Sequence, residues 1–313
     1  MSDSIDSLSS CCRLQNKIDR KKKDFSTSIG GAGVDTGSIK VITINMNRLI
    51  QRHWDKDTET LKEAVLKVVA RIHMYLHAQR EIIKKLVANG MLGPYRAGFV
   101  SLDKQYSTIG INGMVEAAEY MGLKISFNDG YKNFLKEMLS TITAANEITS
   151  EKLGFKINTE FVPAENLGVK NAKWDKEDGL VVNRDCYNSY FYIVEDDSID
   201  ILEKMKMHGG EIMEFLDGGS AYHINLEEHA TAQAYEKLLH AQAALKSPYV
   251  TINVKATACN NCGYKDKQTR QSCRHCGSTD VDWITRIIGY PKRISSFSDA
   301  RKIEESKRVY HKI

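Results

Sequence analysis

The sequence predicts an α/β protein with a mostly parallel sheet, on two observations. Short β-branched runs alternate along the chain with longer segments whose apolar residues recur at helical spacing. Gly and Pro punctuate many of the junctions. The first 37 residues are rich in Ser, Gly and charge and read as loop. Val41-Ile42-Thr43-Ile44 is β-branched and reads as the first strand. Leu61, Val65, Val68, Ile72, Leu76, Ile83 and Leu86 then recur at helical spacing with Lys, Glu and Arg between them, which predicts a long helix. Gly90 and Gly93-Pro94 end it. A strand is expected over 106–111, after which Asn112-Gly113 opens a helix through Val115, Ala118 and Met121, stopped by Gly122. Further helices are expected over 131–145, 199–207, 211–215 and 227–245. Further strands are expected over 155–162, 187–194, 222–226 and 249–254. Whether the sheet is open or closed is left undecided by the pattern. No internal repeat is evident, and a domain boundary is expected near Ala256, dividing 1–255 from 256–313.

Composition narrows the function classes. Lys and Arg exceed Asp and Glu by 44 − 40 = 4, a mild excess that suits an anionic ligand but is too small to argue for DNA binding. No apolar run approaches the length of a membrane span. The opening Met1-Ser2-Asp3-Ser4 has neither a basic nor an apolar signal region, so a reducing cytoplasm is expected. In that compartment seven cysteines point to metal binding or chemistry rather than disulfides.

Four of them form the strongest local signal. Cys259-x-x-Cys262 and Cys273-x-x-Cys276 are separated by ten residues, and two such turns complete a tetrahedron of thiolates suited to Zn²⁺. Gly263 and Gly277 supply the tight turns. The competing reading is a pair of redox disulfides or unrelated thiols, which compartment and spacing both disfavour. His275 reads as a bystander, because four sulfurs already fill the shell. A closed four-sulfur site has no position open to substrate, so its role is structural bracing. Lys265, Lys267, Arg270 and Arg274 lie nearby, but no aromatic stacking series accompanies them and direct nucleic-acid binding is not expected.

Close behind follows Arg286-Ile287-Ile288-Gly289-Tyr290, with Ser295-Ser296-Phe297 after it. Taken alone, Gly289-Tyr290-Pro291 is an ordinary turn. After a four-cysteine knot it resembles the anaerobic (class III) ribonucleoside-triphosphate reductases, a family of glycyl radical enzymes. The resemblance extends to Asn183-Arg184-Asp185-Cys186-Tyr187-Asn188-Ser189, to Gly218-Gly219-Ser220-x-x-His223 and to Ser9-Ser10-Cys11-Cys12-Arg13-Leu14.

That resemblance implies the C-terminal half of a glycyl-radical-type β/α barrel, a small zinc ribbon and a C-terminal glycyl radical loop. Gly289 would carry the radical, generated by a separate activating enzyme that uses S-adenosylmethionine and a 4Fe–4S cluster. Cys12, directly before Arg13, would become the thiyl radical that attacks the ribose, with Cys11 the second choice; outside the family, a vicinal pair reads as inert thiols. The substrate would be a ribonucleoside triphosphate and the reductant formate or a thiol. Some members carry an asparagine near the strand after the thiyl loop, where this chain has Ser38. Candidate phosphate cradles are Gly30-Gly31-Ala32-Gly33, Asn112-Gly113 and Asp217-Gly218-Gly219-Ser220, each of which also reads as a plain turn. Cys186 reads as a buried structural thiol, and the basic run at 17–23 as a solvated loop.

Members of the family place the thiyl cysteine near mid-chain, whereas here it lies at residue 12. The first half of the barrel and the effector region are therefore expected elsewhere, the chain being either a fragment of a longer gene or one part of a split gene whose second polypeptide supplies the rest, unless that half is lost; the assembled enzyme is expected to be a homodimer. The competing readings are a pyruvate formate-lyase-type glycyl radical enzyme and an inactive zinc-ribbon remnant.

Overall fold

The computed structural model describes residues 37–162, 166–220, 222–286 and 291–312. β1 (Ser38–Asn45) leads directly into α1 (Met46–His53), whose start is capped by the Asn45 side chain accepting from the Arg48 N–H. The long helix expected from the periodicity is α2 (Thr58–Ala88), capped by Asp57, which accepts from the Glu59 and Thr60 N–H groups. Gly90, at φ +69°, follows its end. Next come β2 (Tyr106–Asn112), α3 (Met114–Tyr120), α4 (Asp129–Leu153) and β3 (Ile157–Phe161). The three strands pair in parallel in the order β1-β2-β3, with helices in each crossover as parallel pairing requires. Helix α4 continues well past 145, the end expected from apolar spacing. Its inward face there is polar: Asn146 donates to Thr159 Oγ1 (2.8 Å) and Thr149 Oγ1 meets His73 Nδ1 (2.9 Å).

The second half begins with α5 (Leu167–Glu177) and α6 (Ile201–Met207), then β4 (Tyr222–Leu226), α7 (Ala232–Ala244) and β5 (Val250–Val254). β4 and β5 pair in parallel. A parallel bridge between Glu160 and Gly219 ties this pair to the first sheet. There the Gly218 N–H donates to Thr159 O (2.8 Å), and Asp217 Oδ1 accepts from the Thr159 N–H (2.8 Å). A Cβ on Gly218 would lie 2.6 Å from Thr159 O, so this approach admits only glycine. The segment 217–220 therefore knits the two sheets together. Helix α7 starts later than the expected 227: the Glu227 N–H donates to His311 O (3.1 Å), and the helix begins only after Thr231, whose side chain caps it by accepting from the Ala234 N–H.

The strand expected over 187–194 does not form. Its aromatic residues are buried together rather than alternating: Tyr187, Tyr190, Phe191 and Tyr192 are all inside. Its backbone N–H groups find side chains instead of a neighbouring strand. Asn188 N–H donates to Glu116 Oε1 (2.9 Å), and Phe191 N–H to His208 Nε2 (3.2 Å). Because His208 Nε2 accepts from a main-chain donor, its ring proton lies on Nδ1, facing Ser220 Oγ at 3.0 Å.

From Ala256 onward the pairing changes. β6 (Ala256–Cys259), β7 (Lys265–Asp266), β8 (Val281–Arg286) and β9 (Pro291–Arg293) form an antiparallel sheet in the order β7-β6-β8-β9. α8 (Asp299–Lys307) follows.

The parallel sheets have two unlike faces. One carries Ile44, Ile109, Ile111, Ile157, Phe161, Tyr222, Ile224 and Leu226, and packs into the main core. The registers place Thr108 beside Asn158, Gly110 beside Glu160, Asn45 beside Asn112, and Asn225 beside Asn253 on the opposite face. Asn112, Thr108, Asn158, Glu160, His223, Asn225 and Asn253 are nevertheless buried. Parallel sheets usually bury apolar residues on both faces. Here the second face is buried and polar instead.

Candidate functional site

The four cysteines meet. Their sulfur atoms all lie within 4.8 Å of one another, with Cys259 to Cys276 at 3.6 Å and Cys262 to Cys273 at 3.7 Å. A tetrahedron with Zn–S arms of about 2.3 Å has an edge of about 3.8 Å, so the donor set fits Zn²⁺. Two matching knuckles build it. Cys259 N–H donates to Tyr264 O and Gly263 N–H to Cys259 O; Cys273 N–H donates to Ser278 O and Gly277 N–H to Cys273 O. Gly263 and Gly277 sit at φ +74° and +73°, the left-handed conformation that side chains resist. The Ser278 backbone N–H draws the Cys276 thiol down, while Cys262, despite the Tyr264 backbone N–H, is pushed up by burial and by the other three sulfurs, so the four thiols share their charge unevenly. His275 stays outside the cluster, its ring stacked on Tyr264 at 5.5 Å.

This centre is wired to both strands that flank 287–290. Cys259 on β6 is in register with Val281 on β8, and Asn260, inside the first knuckle, accepts from Arg293 Nη1 on β9 (2.5 Å). Arg286 and Pro291 are register partners across β8 and β9. Arg308, buried behind β8, pairs with Glu304 and donates to Arg286 O (2.9 Å). Burial works against its charge, but Glu304, Tyr190 and Tyr310 together outweigh burial, so Arg308 is held as a cation.

The segment 183–189 is the second cluster. Arg184 bridges Glu116 (3.1 Å), Glu119 (2.5 Å) and Glu195 (3.4 Å). Burial pushes the Glu116 carboxyl up, against the opposing pull of Arg184. Glu116 Oε1 also accepts from the Asn188 N–H and Nδ2. Tyr187 OH donates to Asp175 Oδ2 (2.7 Å) and accepts from Asn47 Nδ2 (2.7 Å). Removing a buried ion-pair partner typically costs about 3–5 kcal/mol. Arg184→Ala is thus expected to lower unfolding free energy by about 3 kcal/mol in urea titration, while Glu119→Gln, on a more exposed partner, costs less. Equal, small losses in both variants would remove Arg184 from its bridging role.

Of the residues expected from sequence, the cysteine set and Cys186 are placed as read. Burial pushes the Cys186 thiol up to about 12, which suits a structural group rather than a reactive one. Gly113 is hemmed in by Asn47, Asn45 and Tyr187, so it serves the β2–α3 turn. Ser38 Oγ meets Thr108 Oγ1 at 2.6 Å. Gly289, Cys11, Cys12 and the Gly30-Gly31-Ala32-Gly33 loop lie outside the described residues. Glu116 and the buried polar face were missed by sequence reasoning. The signal for that face was present: Ile157-Asn158-Thr159-Glu160-Phe161 and Val250-Thr251-Ile252-Asn253-Val254 alternate inside parallel strands.

Residues 1–311 match the model of the family described as anaerobic ribonucleoside-triphosphate reductase. A solved structure of an anaerobic ribonucleotide reductase is 27% identical with a TM-score of 0.85, over 100% of this chain and 49% of that one. The anaerobic ribonucleotide reductase from Thermotoga maritima in complex with dATP and CTP is 28% identical with a TM-score of 0.80, over 97% of this chain and 49% of that one. The same enzyme with dATP bound in the specificity site is 29% identical with a TM-score of 0.78, over 95% and 48%. The chain thus spans about half the length of the structures it matches. No curated protein matches it. Among the described residues no helix is long and apolar enough to cross a membrane.

Proposed function

The chain belongs to the anaerobic ribonucleoside-triphosphate reductase family, and we propose that it supplies the radical-bearing C-terminal half of such an enzyme. The observation that carries this is the near-complete family match together with a four-thiolate centre wired to the strands flanking 287–290. The proposed division is a catalytic part over 1–255, half of a β/α barrel, and a zinc and radical part over 256–313. The buried polar face is the barrel lining that meets the nucleotide. Cys259, Cys262, Cys273 and Cys276 hold Zn²⁺, which supplies no chemistry to substrate and braces the radical segment.

In the proposed reaction an activating enzyme with S-adenosylmethionine and a 4Fe–4S cluster removes one hydrogen atom from Gly289. Gly289 then takes a hydrogen atom from the Cys12 thiol, with Cys11 the alternative. Cys12 abstracts the 3′ hydrogen of the ribose, the 2′ hydroxyl leaves as water, and formate or a thiol supplies the two reducing electrons. The 3′ hydrogen is then returned from the Cys12 thiol, which restores the thiyl radical. The protein's part is positioning and exclusion of water. The N-terminal half is supplied either by the rest of a longer polypeptide or by a second one, the assembled enzyme is a homodimer, and the compartment is a reducing cytoplasm.

The test is anaerobic deoxynucleotide formation from a ribonucleoside triphosphate. The activated chain alone is expected to give none, and the chain combined with an N-terminal half from a relative to give turnover that Cys12→Ser abolishes. Turnover by the chain alone would refute the need for an N-terminal half. Undiminished turnover in both the Cys12→Ser and Cys11→Ser variants would refute the thiyl assignment.

A further inference from the structure

The last residues of the described chain reach three separate parts of the fold. Arg308 has a side chain only 1% exposed. It grips Glu304 through Nε (3.0 Å) and Nη2 (2.8 and 2.9 Å), and aims Nη1 at the main-chain carbonyl of Arg286 (2.9 Å). Arg286 ends β8. One residue on, Val309 N–H donates to Val194 O (3.0 Å) in the buried 187–194 segment. Tyr310 OH donates to Glu305 Oε1 (3.2 Å) and meets Thr285 Oγ1 on β8 (3.4 Å). Glu305 in turn pairs with Lys255 (2.6 Å), the residue between β5 and β6. His311 N–H donates to Asn225 O (2.8 Å) and its carbonyl accepts from the Glu227 N–H, a parallel bridge at the end of β4.

We propose that the segment 299–312 is a strut that fixes the end of β8 against the parallel sheets, with Arg308 as its positioning residue. The inference rests on the reading of Gly289 as the radical site for its functional meaning, but not for its geometry.

Arginine at this position has a specific physical use. A buried ion pair costs desolvation that an apolar side chain of similar size avoids, so packing alone does not call for arginine. What a guanidinium adds is a rigid planar fork whose donors point in set directions. Here one edge is locked by a carboxylate, which leaves another donor to hold a single main-chain carbonyl. That carbonyl lies three residues before Gly289, where small displacements decide whether a hydrogen atom can pass.

The experiment uses the full 313-residue chain with zinc bound and compares wild type, Arg308→Met, Arg308→Lys and Tyr310→Phe by amide hydrogen exchange. Arg308→Met is expected to speed exchange over 281–286 at least about tenfold, the loss of one charge-assisted hydrogen bond. Zinc content and exchange over α2 and α4 stay at wild-type levels. Arg308→Lys, which keeps the charge near Glu304 but not the fork, falls between, and Tyr310→Phe gives a smaller rise in the same place. Unchanged exchange over 281–286, or an equal rise throughout the chain, would overturn the strut. If Arg308→Met does not fold, the lysine and phenylalanine variants decide by the same criterion. A separate arm treats each protein with the activating enzyme and S-adenosylmethionine and records the electron paramagnetic resonance doublet. A faster-decaying doublet in the Arg308 variants supports the positioning role, and an undisturbed one confines Arg308 to structure. A silent wild type would sink the radical reading while leaving the exchange result to judge the strut.

Discussion

Gly289→Ala, activated anaerobically beside the wild-type chain, is expected to give no electron paramagnetic resonance doublet and no cleavage on exposure to air. The wild type is expected to give both, shedding a C-terminal piece that begins near residue 289 of 313. The reason is the missing side chain. A radical on a main-chain carbon is stabilised when that carbon flattens and shares its electron with the neighbouring amide nitrogen and carbonyl. Glycine can flatten without a Cβ clash, whereas alanine cannot do so freely. The effect is all-or-none in both readouts, and gel and spectrum are independent of one another. A doublet that persists in the variant would move the radical elsewhere. A silent, uncut wild type would favour the inert zinc-ribbon reading.

The second large effect is expected from the metal. Purified with metal, the chain is expected to carry one Zn²⁺; Cys273→Ser, or treatment with a strong chelator, should abolish that zinc content and open the β6–β9 sheet to protease. The parallel sheets should keep their circular dichroism. Among the described residues the C-terminal sheet has almost no apolar core. Its apolar cluster consists of Phe297 with Ile294 packed beside it, whereas the main core joins residues from Ile44 to Leu226. Four thiolates on one zinc ion are worth about 10–16 kcal/mol in small zinc-finger peptides, far more than a cluster of that size supplies. Because Cys259 and Asn260 reach β8 and β9, loss of the metal is also expected to abolish the Gly289 radical. Unaltered protease resistance in a metal-free chain would show that the sheet stands without the ion.

Much of the fold was legible in the residues. Helix α2 and the strands β1, β2, β4 and β5 are local signals, in which β-branched runs and 3.6-residue periodicity reflect which side of an element meets the core. The cysteine centre was equally legible, because each pair closes its own turn around a ligand and needs no distant partner to be recognised. Other features failed for one shared reason. The run 187–194 has strand composition, yet two of its amides are claimed by Glu116 and His208, residues that only folding brings close. The end of α4 is held by His73, 73 positions away from Asn146. Glu116 carries no motif, and its environment exists only once Arg184 and Asn188 arrive from far along the chain.

By itself, then, the amino-acid order determined the α/β class, the main helices and strands, the four-cysteine set and the family resemblance, each read from residue types and spacings within short segments. The tertiary structure alone decided that the parallel strands bury a polar face, that 217–220 joins the two sheets, and that the C-terminal residues reach back to β8 and β4. Such features depend on which side of each strand a distant segment covers, and no local spacing records that.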